Sequence, residues 1–100
     1  MANSTADTHR LVMHVLIEGR VQGVGFRAWT EIQAQDLGLD GWVRNRRTGA
    51  VEAVFAGASG AVREMHGRLK RGPPHAQVAA VHTIDDEPEY ASGFEVRQTA

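Results

Sequence analysis

The stretch EGRVQGVGFRAW (Glu18–Trp29) places three glycines and two arginines among twelve residues, between two more apolar segments. Glycine allows a backbone with φ > 0 and lets a ligand approach closely. Arginine presents a planar, permanently charged fork that matches phosphate or carboxylate. Where such a loop runs into a helix, successive backbone N–H groups can point at one spot, and the helix N-terminus adds partial positive charge. Arg27, in the first helical turn, can close over the same anion with two hydrogen bonds. The chemistry suggested is recognition of a phosphorylated small molecule. GRVQGVGFR lacks the Gly-x-x-x-x-Gly-Lys-Ser/Thr pattern, and its Gly-x-Gly has no third glycine at the dinucleotide offset. No acidic cluster nearby suggests magnesium, so the expected anion is bound without metal.

Such a loop needs a frame. Arg10–Glu18 is rich in aliphatic and β-branched residues and reads as a strand. Leu11, Met13, Val15 and Ile17 alternate with Val12, His14, Leu16 and Glu18, and the first set is expected to face the core. After the loop the period changes to that of a helix, with Phe26, Thr30, Ala34 and Leu37 in one stripe, Trp29 and Gln33 beside it, and Gly38 as the stop. Leu39–Asn45 and Ala50–Ala56 read as an antiparallel hairpin around the turn RRTG. Val62, Met65 and Leu69 mark a second helix, which Gly72, Pro73 and Pro74 end. Ala76–Ile84 is a fourth strand, and FEVRQ (Phe94–Gln98) a possible short last one. The order βαββαβ predicts a ferredoxin-like split βαβ sandwich of the α+β class, an antiparallel sheet with both helices on one face. That fold alone implies no function.

The 100 residues fit one domain, expected over residues 10–100, with residues 1–9 as a disordered tail. Apolar residues make up 42%, enough for a core, and the net charge of −1 argues against a general nucleic-acid binder. There is no cysteine, which excludes disulfides, thiolate catalysis and cysteine-based zinc sites. The five histidines are scattered and predict no metal site. The opening MANSTADTH has neither the basic start nor the apolar centre of a signal peptide, and the longest apolar run is too short to span a bilayer. The expectation is a cytoplasmic protein with no membrane or nucleic-acid partner.

GRVQGVGFR followed by GLDGWVRN resembles the acylphosphatase family, whose members hydrolyse acyl phosphates to a carboxylate and inorganic phosphate. The resemblance runs from about Arg10 to Arg97 and includes Thr30, Ala34, LGL at Leu37–Leu39, GPP at Gly72–Pro74 and FEV at Phe94–Val96. It implies that Arg27 is the phosphate-binding arginine. It implies a phosphate cradle at Val21, Gln22, Gly23, Val24, Gly25 and Phe26. It implies that Asn45 positions the attacking water. It also implies a ferredoxin-like fold, no cofactor, and a monomer acting on a small-molecule acyl phosphate. Many relatives carry threonine after the asparagine, where this chain has Arg46. Two side chains can suffice, because a carboxylate leaves as a weak base and needs no general acid.

By themselves, Arg27 reads as a solvated helix residue and Asn45 as a turn residue. Trp29 and Trp42 read as packing residues. Arg44, Arg46 and Arg47 read as a basic patch that either attracts anions or caps a solvated hairpin end. Two other classes fit the fold: an anion-binding module without turnover, and an RNA-binding sheet. Arg27 and Asn45 together favour the enzyme. The near-neutral charge and the lack of an aromatic-rich strand motif argue against RNA.

Overall fold

A computed structural model of the chain describes residues 9–100; residues 1–8 of the expected tail lie outside the described residues. The elements are β1 (Arg10–Arg20), α1 (Phe26–Asp36), β2 (Asp40–Asn45), β3 (Val51–Ala58), α2 (Ser59–Arg71), β4 (Gln77–Ile84) and β5 (Phe94–Val96). They form one five-stranded sheet in the order β4-β1-β3-β2-β5. The first four strands pair antiparallel, as the sequence implies. The last one departs from the all-antiparallel expectation, because β5 adds to β2 in parallel and makes the sheet mixed. The reason is topological. β4 runs opposite to β1 and β2, so a strand that starts after a crossover from the end of β4 must run with β2.

Alternation along the strands decides which face is buried. Val15 lies opposite Ala53, Ile17 opposite Val51, and Met13 opposite Phe55. Val43 joins the same face opposite Ala53. Against this face pack Phe26 and Ala34 from α1 and Val62, Met65 and Leu69 from α2, so both helices cover one side. Leu11 was expected here too, but it sits at the start of β1 and is 37% exposed.

Two glycines allow backbones to approach. β1 continues through Gly19 and Arg20, with a register shift between Glu18 and Gly19 against β4. Gly19 is therefore a strand residue and not the first residue of the loop. A Cβ there would lie 2.2 Å from the carbonyl oxygen of Gln77. Gly41 has φ 134°, and a Cβ on it would lie 1.8 Å from the carbonyl oxygen of Val54 in β3. Gly41→Ala is therefore expected to lower the unfolding free energy by about 3 kcal/mol. Denaturant unfolding reads this directly, and a loss under about 1 kcal/mol would mean that the two strands separate easily.

The other face of the sheet holds a polar cluster that the sequence does not announce. His14 is buried between the carboxylates of Glu52 and Asp86, with Nε2 2.6 Å from Glu52 Oε2. Arg44 Nε and Arg46 Nη1 donate to Glu52 Oε1 at 2.9 and 3.0 Å. Arg44 and Arg97 stack on Trp42, whose indole N–H donates to the Glu89 carbonyl at 2.9 Å. Arg44 and Arg46 are thus tied to Glu52 and are not a free anion-attracting patch. Trp42 is buried, in keeping with a packing role.

Burial pushes the Glu52 carboxyl up. Hydrogen bonds from His14, Arg44 and Arg46 and the charge of Arg44 outweigh that effect and hold its pKa below the usual carboxylate range. A group whose pKa is depressed in the folded state contributes stability above its unfolded pKa. That contribution is lost as pH falls through the folded value. Glu52→Gln is expected to cost about 2 kcal/mol at neutral pH. It should also flatten the acid limb of the stability profile below the ordinary value of 4.5. An acid limb unchanged in the variant would assign that sensitivity to other carboxyls.

Candidate active site

The site lies where β1 turns into α1. Gly23 and Gly25 have φ of 76° and 78°, left-handed conformations that favour glycine. A Cβ on either would meet nothing within 4 Å, so backbone conformation, not crowding by the protein, calls for glycine there. Gly25 is the N-cap of α1, and its carbonyl accepts from the Trp29 N–H at 3.0 Å. No backbone N–H from Gln22 through Ala28 donates a hydrogen bond within the described chain. Free N–H groups at a helix start are ordinary. Here the free run extends back through the turn into a cleft.

That cleft holds about 500 Å³ and is lined by Val21, Gln22, Gly23, Gly25, Phe26, Arg27, Ala28, Glu31, Asn45 and Val96. Arg27 and Asn45 thus line the same cavity, although one lies on α1 and the other at the end of β2. Asn45 shares its strand face with Val43, the face that meets the helices. Val21 and Phe26 are buried, anchoring the loop at each end. The Val24 side chain packs on the core and does not line the cleft.

Arg27 is held by a residue 70 positions further along the chain. Its Nη1 donates to the Arg97 carbonyl at 3.2 Å, and the Arg97 N–H donates to the Val43 carbonyl at 2.8 Å. Beyond β5, Ala100 N–H donates to the Asn45 carbonyl at 3.0 Å, so the segment lies beside the strand end that carries Asn45. The remaining guanidinium donors of Arg27 are available to an anion. Glu31 is a cleft residue that the motif reading passes over. Its signal was present: four residues after Arg27, it falls on the same helix face. Among the described residues no group of three or more His, Asp or Glu side chains could hold a metal ion.

The class of the protein is an α+β ferredoxin-like sandwich with one cleft lined by the loop after β1, Arg27 and Asn45. Comparison with known proteins gives its family. The sequence model of the acylphosphatase family matches residues 13–96. An acylphosphatase from Trichormus variabilis is 50% identical over 98 residues, covering 98% of this chain and 97% of its own. One from Bradyrhizobium diazoefficiens is 56% identical over 72 residues, covering 72% and 73%. The solved structure of an acylphosphatase from Coxiella burnetii superposes with a TM-score of 0.84 at 35% identity, covering 94% of this chain and 99% of that one. The chain belongs to the acylphosphatase family. Hydrolysis of acyl phosphates is that family's activity, and the chain is an acylphosphatase hydrolase.

Proposed function

We propose that Arg27 and the backbone N–H groups of Val21–Phe26 hold the phosphoryl group, and that Asn45 positions the attacking water. The observation that carries this reading is the convergence of Arg27, Asn45 and the unbonded loop on one cleft. The water oxygen attacks phosphorus as the bond from phosphorus to the acyl oxygen breaks. The bonding pair leaves on the carboxylate. The water's proton passes to a phosphoryl oxygen, so no protein base is consumed. Catalysis is then positioning and electrostatic stabilisation of phosphoryl charge. Because the leaving group is a weak base, no general acid is required, and no metal is needed where a guanidinium and several N–H groups supply the positive field. Alkyl phosphate esters, which leave as strong bases, should be poor substrates.

Within this proposal the protein works as a monomer, supported by a cleft built from one chain. Its setting is the cytoplasm, since a charged acyl phosphate does not cross an apolar bilayer unaided, and it has no nucleic-acid partner. Inorganic phosphate is expected to inhibit competitively, because loop and arginine recognise the group common to substrate and product. Steady-state kinetics with a model acyl phosphate tests this with EDTA present throughout. Purely non-competitive inhibition would move the phosphate site elsewhere. Activity lost in EDTA and restored by a divalent ion would overturn the metal-free reaction.

A further inference from the structure

We propose that Gln22 is a positioning residue that fixes the phosphate loop against the strand end carrying Asn45. The inference rests on the reading above, in which the loop holds the phosphoryl group and Asn45 holds the water. Gln22 Nε2 donates to the Arg46 carbonyl at 2.7 Å and to the Ala50 carbonyl at 2.8 Å. Both protons of the carboxamide are therefore engaged, and two acceptor neighbours fix which end of the amide is the nitrogen. Ala50 O also accepts from the Arg46 N–H at 2.8 Å, closing the hairpin one residue beyond Asn45. The cross-link thus reaches the residue next to Asn45 and the pair that closes its turn. Among the described residues these are the only hydrogen bonds between residues 21–27 and residues 45–50.

The physical need is plain. The loop is short of polar ties of its own, because none of its N–H groups from Gln22 to Phe26 donates a hydrogen bond among the described residues. The phosphorus is placed by the loop and the water by β2. In-line attack needs the two about 3–3.5 Å apart, and an error near 1 Å can cost on the order of 10²-fold in rate. A side chain that bonds both parts sets that separation. Nor is the Gln22 side chain a phosphate ligand. Its donors are already used, and the oxygen that remains is an acceptor, which cannot hold an anion. The identity of residue 46 also becomes less decisive. The cross-link uses the Arg46 carbonyl, which any residue supplies, while its side chain is tied to Glu52 at 3.0 Å.

Gln22→Met keeps the length and the backbone N–H and removes both donors. It is expected to lower kcat about tenfold, with KM and the phosphate inhibition constant within about twofold of the wild type. In an Asn45→Ala background the same substitution should cost almost nothing further, since the two act through one geometry. An equal loss in both backgrounds would overturn the proposal, as would a weakened phosphate inhibition constant with kcat unchanged. Gln22→Glu supplies a second readout should Gln22→Met fold poorly. Ionised, it sets a carboxylate against two carbonyl oxygens. Protonated, it regains one donor, so its kcat relative to the wild type should recover as pH falls through the carboxyl range. A ratio that does not change with pH would overturn the proposal. Full activity of Asn45→Ala would remove the underlying reading and the proposal together, whereas failure of the Gln22 variants alone leaves that reading standing.

Discussion

Arg27→Lys is expected to lose on the order of 10³-fold in acyl phosphate turnover although the positive charge is kept. The guanidinium can donate to the Arg97 carbonyl, 3.2 Å from Nη1, and still present other donors to a phosphoryl group. An ammonium is a single point with no planar fork. Drawn to the same carbonyl, it would leave the anion; drawn to the anion, it would lose the contact that places it. Thermal melting should show little change, because Arg27 is only partly buried and makes no ion pair among the described residues. The expected pattern is a folded protein with weakened phosphate inhibition and very low kcat/KM. Turnover near the wild-type rate would make Arg27 a solvated surface residue and reduce the loop to a turn.

Asn45→Ala separates binding from chemistry. Phosphate inhibition should be nearly unchanged, since the anion is assigned to the loop and Arg27, while kcat falls by on the order of 10²-fold. The backbone of Asn45 already has structural work, accepting from Ala100 N–H at 3.0 Å, but alanine keeps that carbonyl. Circular dichroism and a thermal melt should therefore match the wild type. A folded and fully active variant would remove the water-positioning role and leave the mechanism without an orienting group.

Much of this architecture was legible because its signals are local. The change from period two to helical period after Gly25 marks the start of α1. The stripe Phe26, Thr30 and Ala34 is buried as the spacing requires. What stayed hidden depends on partners far away in sequence. Nothing near His14 shows that Glu52 and Asp86 will close around it, at separations of 38 and 72 residues. Gly19 looked like loop because the β4 backbone that crowds it lies about sixty residues on. β5 was visible as a strand, but its direction follows from a crossover that composition does not record. At the site, the motif named the loop, Arg27 and Asn45. It gave no hint that the Gln22 side chain turns toward the hairpin, or that the Val24 side chain turns into the core.

The Arg97 carbonyl that holds Arg27 lies 70 residues further along the chain. The cleft therefore cannot be completed by an early fragment. During synthesis the loop that leads into Arg27 leaves the ribosome well before Arg97, the residue that seats that arginine. Each closure over so long a stretch costs chain entropy before any contact repays it, and topologies of this sort mature slowly compared with helical bundles. A nascent chain stalled before β5 would carry the loop, the helix and the asparagine but not a seated guanidinium. Appearance of enzymatic activity would then time the docking of the β5 segment, not the first appearance of secondary structure.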